Sequence, residues 1–350
     1  MPKIESVGTA VPSYRVTQEE ARTLTRQLFD GAIENLDTLL TVFDHAQVNT
    51  RYSSAPPEWF TQHHTFPERN TLYIKSALGL SADAILDCLT PVDLSPSDID
   101  HLIFVSTTGI ATPSLDALLI DRLTMQPSIV RTPLWGLGCA GGIGGVSRAA
   151  EFARARPDSR IMVVAVELCT LTFQLSDHSR ANLIATSLFG DGAAAVLVTG
   201  DEVEGEGPTI QGHTSTTWPN SLDVMGWDLV EQGLRVVLSK KIPVIVRRHI
   251  REMVEDFLIS QNLSLADVGH YITHPGGPKV IEGYLGALAL EESQVAHTRS
   301  VLSDYGNMSS PTVLFILKRF LHQLRDVQNQ YGVASAMGPG FSAELLLLKW

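Results

Sequence analysis

Cysteine is scarce in this 350-residue chain, which has only Cys88, Cys139 and Cys169. Their spacings of 51 and 30 residues suit neither a disulfide framework nor a zinc site, so they read as reduced thiols of which at most one is special. Positive charge is scarce too. With 26 Lys and Arg against 38 Asp and Glu, the net charge of −12 argues against a nucleic-acid partner, whose phosphates would be repelled. It does not exclude a small anion held by a local cluster of cations. Long apolar runs are missing: none reaches the roughly 18 residues that span a bilayer. The opening MPKIESVGTAVPSYRV has no apolar signal-peptide core, so a cytoplasmic location is expected.

Hydrophobic residues are plentiful at 44%, enough for a large core, and a chain of this length is expected to form two domains or two fused halves. Two echoes support the second option. LSPSDIDHLI (94–103) and LSLADVGHYI (263–272) share the pattern L-S-x-x-D-[I/V]-x-H-x-I, and GDGAAAVLV (190–198) is echoed by GPGFSAELL (338–346). The order is the same in both halves, which reads as an ancestral duplication of an α/β unit. The runs HLIFVST, RIMVVAVEL and AAAVLVTG read as strands, and residues 71–88 and 145–156 as helices. In the second half IPVIVRRHIREMVEDFLISQ reads as a long amphipathic helix, HYITH as a strand, SSPTVLFILKRFLHQLR as a helix and the C-terminal GVASAMGPGFSAELLLLKW as a hairpin. Strands this apolar are buried on both faces, so helices should cover both sides of each sheet. The acidic, Gly-rich TGDEVEGEGPT (199–209) is the expected seam, dividing the chain into residues 1–205 and 206–350.

The stretch WGLGCAGGIGG (135–145) surrounds Cys139 with six glycines between a strand and a helix. A thiol there meets unpaired backbone N–H groups and the positive end of a helix, which favour the thiolate. Each glycine costs a helix about 1 kcal/mol relative to Ala, so the cluster calls for a sharp bend or a close approach. Taken alone, the stretch leaves two readings open, a nucleophile or a core thiol in tight helix packing. Cys88 and Cys169 read as core residues. Two further loops add weight to the first reading. THPGGP (273–278) ends an apolar strand with His274, and SDYGNMSSP (303–311) places Asn307 in a Gly turn before a helix that Ser309 or Ser310 would cap. Together the three supply a nucleophile, a base and donors for a developing oxyanion.

In this combination the chain resembles the type III polyketide synthases, the chalcone synthase family. WGLGCAGG, HPGGP and YGNMSSP carry its Cys-His-Asn triad, and SLFGDGAAA (187–195) and GPGFSAE (338–344) are similar to two further signatures. The resemblance spans the whole chain and implies an α/β, thiolase-like, five-layered αβαβα fold of two duplicated halves. It implies a homodimer that works on acyl-CoA and malonyl-CoA with no metal or organic cofactor. It also gives roles. Cys139 would carry the acyl group, while His274 helps keep it a thiolate; His274 and Asn307 would hold the malonyl thioester carbonyl during decarboxylation. Phe189 matches one of two gatekeeper phenylalanines, and the second falls at Val236. Met337 replaces a loop Phe, Thr172 matches a cavity-lining threonine, and Ser309 a serine beside the Asn. Two lost rings and an adaptable methionine favour a fatty acyl starter, as in the similar bacterial alkylpyrone and alkylresorcinol synthases. The family's lysines at the CoA mouth are missing from LLTVFDHAQVNTRY, which offers only His45 and Arg51, so Lys279, or Lys240 and Lys241, would meet the CoA phosphates.

Other features are set aside. His63 and His64 are adjacent, without the spacing of a metal site. GDGAAA and GPGFS lack the ending of a phosphate loop. RRHIR (247–251) reads as the solvent face of its helix, and Glu167 as structural. A papain-like protease shares the Cys…His…Asn order but not the surroundings of Cys139. The rival activity is a single condensation, as in ketoacyl synthase III or HMG-CoA synthase; a catalytically silent thiolase-fold protein is the third reading.

Overall fold

The computed structural model describes all residues, Met1–Trp350. In chain order the first half forms β1 (Lys3–Ala10), β2 (Tyr14–Thr17), α1 (Gln18–Phe29), α2 (Leu36–His45), β3 (Thr50–Ser53) and α3 (Phe66–Leu89). It continues with β4 (His101–Val105), α4 (Leu115–Arg122), β5 (Val130–Leu134), α5 (Gly141–Ala155), β6 (Arg160–Leu168), α6 (Arg180–Leu188) and β7 (Asp191–Thr199). The second half holds β8 (Thr209–Thr217), β9 (Met225–Val230), β10 (Gly233–Leu238), α7 (Ile242–Ser260), β11 (Val268–Thr273) and α8 (Pro278–Leu288). It ends with α9 (Ala296–Tyr305), α10 (Ser310–Gln323), β12 (Tyr331–Gly338) and β13 (Ser342–Lys349).

Nine strands run in the order β11-β12-β13-β8-β1-β7-β6-β4-β5. The two ends of this order repeat one another. β4 lies parallel to β6, β6 antiparallel to β7 and β7 antiparallel to β1; likewise β11 is parallel to β12, β12 antiparallel to β13 and β13 antiparallel to β8. β1 and β8 pair only at Lys3↔Thr209, so two sheets meet at one corner. The sequence echo has a common local cause: Ser95 and Ser264 each bond back from a single 3₁₀ turn to Asp98 and Asp267, the backbone N–H donating at 2.8 Å in both halves.

Layering follows from burial on both faces of the strands. β6 and β7 are buried almost throughout. One face of the first sheet packs on α3, through Ala77, Ile85 and Leu89. The outer face of the second packs on α7 and α8, through Val246, Phe257 and Tyr284. Between the sheets lie α5 and α10, whose Ile143, Val146, Val313 and Leu317 join one core with Val163, Val196 and Leu346. This is the α/β, thiolase-like αβαβα arrangement.

The helices expected over 71–88 and 145–156 start earlier, at Phe66 and Gly141. Thr65 and Glu68 form a capping box for α3. The glycines of α5 are weak helix formers and read as loop, but they are helical because the first half of α5, residues 141–147, is buried throughout. A Cβ on Gly142 would lie 2.4 Å from the Ser310 carbonyl oxygen of α10. No helix is long and apolar enough to cross a membrane.

Candidate active site

Beyond β5 the chain turns sharply at Gly138, which has φ +49° and sits so close to Pro339 that a Cβ would approach its ring to 2.5 Å. Only glycine fits both demands. Gly138 N–H donates to Thr107 Oγ1 at 3.1 Å, fixing the residue before Cys139. Cys139 then lies in one 3₁₀ turn, Gly138–Ala140, just ahead of α5. Ser309 Oγ donates to its sulfur at 3.3 Å.

His274 follows the last residue of β11, and its N–H donates to Ser335 O at 2.9 Å. Its ring is buried, and neither ring nitrogen has a partner within the chain. Buried polar atoms rarely stay unpaired, so both nitrogens are free for something bound in the cavity. Asn307 is held at every other atom: its N–H donates to Leu188 O, its carbonyl accepts from Gly190 N, and its Oδ1 accepts from Ser309 N at 2.8 Å. Its Nδ2 donates to Gly276 O at 3.0 Å, which leaves the second amide hydrogen for a ligand. Ser309 occupies the capping position of α10 yet makes no side-chain cap, because its hydroxyl is turned toward Cys139. Its backbone, at φ 58° and ψ −129°, is in a region that non-glycine residues rarely adopt.

Cys139, His274, Asn307, Ser309 and Met337 line one cavity of about 750 Å³. A second, largely apolar cavity of about 720 Å³ lies beside it, lined by Leu24 and Leu28 of α1 and by Phe60, Cys169, Thr172 and Phe173. Phe189 and Val236 line both, forming the wall between them. Cys169, expected to be a plain core residue, is buried but faces this second cavity. Cys88 lies wholly in the core, beside Ser6.

Residues 2–202 match the model for the N-terminal domain of chalcone and stilbene synthases, and residues 209–350 the model for their C-terminal domain. A Bacillus subtilis (strain 168) protein provisionally named a chalcone synthase is 39% identical over 100% of this chain and 99% of its own length. A 1,3,6,8-tetrahydroxynaphthalene synthase of Streptomyces peucetius is 36% identical over 99% of this chain and 93% of its own. The solved structure of a 1,3,6,8-tetrahydroxynaphthalene synthase from Streptomyces coelicolor, a bacterial type III polyketide synthase, superposes with a TM-score of 0.94 at 29% identity, covering 99% of both chains. The chain belongs to the chalcone and stilbene synthase family. It is a type III polyketide synthase, an acyltransferase that condenses malonyl-CoA iteratively.

In this synthase burial and the helix end act on the Cys139 thiol in opposite directions. Burial pushes the Cys139 thiol up to about 12, the Ser309 hydrogen bond lowering it only in part, and burial pushes His274 down to about 3. Both shifts favour the neutral forms of the two side chains. Desolvation in the cavity outweighs the helix end, which begins only at Gly141.

Glu167 makes structural hydrogen bonds, and its charge reaches Cys139. Its Oε2 accepts from Thr107 N, Thr108 N and Thr108 Oγ1, at 3.1, 2.9 and 2.7 Å, and its Oε1 accepts from Ser310 Oγ at 3.3 Å. Burial raises it to about 7 despite these donors. Sequence reasoning missed Thr107 and Thr108, whose only signal is their position after a strand, and gave Ser310 only a capping role.

Arg51 is no part of a CoA mouth in this synthase. It is buried and donates to Phe189 O at 3.2 Å and Ser187 O at 3.0 Å, bracing the end of α6. Lys279 lines neither of these two cavities; it is exposed on the first turn of α8, next to the lining residue Val280. Lys240 and Lys241 are exposed between Leu238 and Ile242, which also line the Cys139 cavity. His45 is exposed at the end of α2. Arg247, Arg248 and Arg251 are exposed, as expected of a solvent face.

Proposed function

We propose that this synthase loads a fatty acyl group from acyl-CoA onto Cys139, extends it with malonyl-CoA and releases alkylpyrone or alkylresorcinol-type products. The observation that carries the reading is the pair of cavities meeting at Phe189 and Val236. One holds the reacting groups, and the other is apolar and sized for a chain.

In this reading the Cys139 proton passes to His274 as the sulfur attacks the acyl-CoA carbonyl, and the departing CoA thiolate takes that proton away. Both charges arise together in the dry cavity, where neither is favoured alone. Malonyl-CoA then loses CO2. The electron pair of the broken C–C bond becomes an enolate, and N–H groups of His274 and Asn307 stabilise its oxygen. The enolate carbon attacks the acyl-Cys139 thioester, the thiolate leaves, and the lengthened chain returns to Cys139 for another round. Thr172 and Met337 shape the chain's path, and Ser309 holds the sulfur. Lys279, Lys240 and Lys241 at the rim would meet the CoA phosphates. If Lys279→Ala leaves KM for malonyl-CoA unchanged, that residue drops out of the assignment.

The two halves, 1–205 and 206–350, would contribute the nucleophile and the His-Asn pair respectively. A homodimer is supported by the apolar side chains exposed beside the edge strand β5, Trp135, 61% exposed, and Ile110. Sedimentation at micromolar concentration checks it. A steady-state series of acyl-CoA lengths tests the substrate: lauroyl- or palmitoyl-CoA should be preferred over coumaroyl-CoA. A preference for coumaroyl-CoA, or an aromatic product from malonyl-CoA alone, would remove the fatty acyl starter.

A further inference from the structure

We propose that the cationic face of α7, whose first residue Ile242 lines the Cys139 cavity, docks an acidic acyl carrier protein that delivers the acyl chain on a phosphopantetheine arm. The inference rests on reading that cavity as the condensing site. In a chain of net charge −12, the twenty residues from Gln232 to Arg251 contain no acid and six cations. Arg235 is paired with Asp228 and Arg251 with Glu255. Lys240, Lys241, Arg247 and Arg248 are exposed and have no ion-pair or hydrogen-bond partner for their side chains, and Lys279 at the start of α8 is the same. Their placement is specific: Leu238, Ile242 and Val280, neighbours of the three lysines in the chain, line the cavity that holds Cys139.

A nucleotide's phosphates need only the rim lysines. Arg247 and Arg248 lie about 10 Å farther along α7, at about 1.5 Å per residue. Between them and the lysines stands Val244, 57% exposed. Cations interleaved with an exposed aliphatic side chain along one helix match an acidic, amphipathic helix of a partner protein, attracted by charge and seated on the valine. An arm from a protein seated there enters where α7 and α8 begin.

The test follows acylation of Cys139 by intact-protein mass spectrometry with three donors: lauroyl-CoA, lauroyl-pantetheine and a purified acyl carrier protein bearing lauroyl-phosphopantetheine. The carrier donor should load at least about tenfold faster than lauroyl-pantetheine at low salt and lose that advantage as salt screens the pair. Arg247→Glu with Arg248→Glu should abolish the advantage and leave lauroyl-CoA loading within about twofold, which also shows that the variant is folded; the single Arg248→Glu should give an intermediate loss. A carrier donor no faster than lauroyl-pantetheine overturns the proposal, as does a variant that slows CoA and carrier loading equally. If no donor acylates Cys139, the condensing site itself is wrong and the docking surface falls with it.

Discussion

The hydroxyl of Ser309 donates to the sulfur of Cys139 across the boundary between the two halves of the chain, at 3.3 Å. The same residue's N–H holds the Asn307 carboxamide, so one strained backbone position orients two members of the site. Removing the hydroxyl loses a bond worth about 0.5–1.5 kcal/mol and raises the thiol further. Both Ser309→Ala and Ser309→Gly should therefore slow iodoacetamide alkylation of Cys139 by roughly two- to tenfold at neutral pH. Glycine also relieves the left-handed backbone. The Gly variant should be more stable than the Ala variant by about 1 kcal/mol in thermal unfolding. Equal alkylation in wild type and both variants would show that the hydrogen bond has no influence on the thiol.

Val236 forms part of the wall between the two cavities, where a larger side chain would seal the apolar one. Val236→Phe should shift the preferred acyl-CoA toward short chains and lower kcat/KM for palmitoyl-CoA by at least about tenfold, the loss of several buried methylenes. Short-chain activity should survive. An unchanged chain-length profile would place the chain elsewhere.

The glycines of α5 are not equivalent. Gly142→Ala puts a Cβ 2.4 Å from backbone of α10, and Gly144→Ala meets nothing closer than the flexible end of Arg148 at 3.3 Å. The first should destabilise the protein by about 1–3 kcal/mol and lower activity through displaced Ser309 and Ser310. The second should be neutral or slightly stabilising through helix propensity. Denaturant unfolding of the two variants decides whether close packing explains the cluster.

Glu167 gives a pH signature. Its folded pKa, about 7, lies above the ordinary value of 4.5, so the native state holds a proton that the unfolded chain releases. The stability it contributes is full below 4.5 and is lost as pH rises through about 7. Asp191, raised to about 6 by burial, acts the same way in a lower window. Between pH 6 and 7 wild type should lose up to about 1.4 kcal/mol of unfolding free energy through Glu167. Glu167→Gln can keep its acceptor toward Thr107 and Thr108 and donate to Ser310, so over that interval it should show only the smaller loss due to Asp191. A parallel slope in both proteins would assign the titration elsewhere.

Much of this was legible before any coordinates. The echo of LSPSDIDHLI and LSLADVGHYI marks two equivalent turn-and-strand units, and residue motifs bring Cys139, His274 and Asn307 to one cavity. The rest depends on what surrounds a residue rather than on its neighbours in the chain. A helix start after Cys139 suggests a low thiol pKa, yet desolvation from both halves reverses the sign. Arg51 sits in a stretch that suggests a ligand, yet the end of α6 and Gln18 of α1 take its bonds. Leu24 and Leu28 look like the buried face of any amphipathic helix, and only the fold brings them to the chain-sized cavity.

Most directly decisive is intact-protein and product mass spectrometry on enzyme given lauroyl-CoA and then isotopically labelled malonyl-CoA. A lauroyl adduct should appear on the peptide bearing Cys139, and the released product should contain the lauroyl chain and more than one labelled two-carbon unit. An adduct on another residue, a product of a single condensation, or the same product from Cys139→Ala would contradict a chain carried and extended on that sulfur.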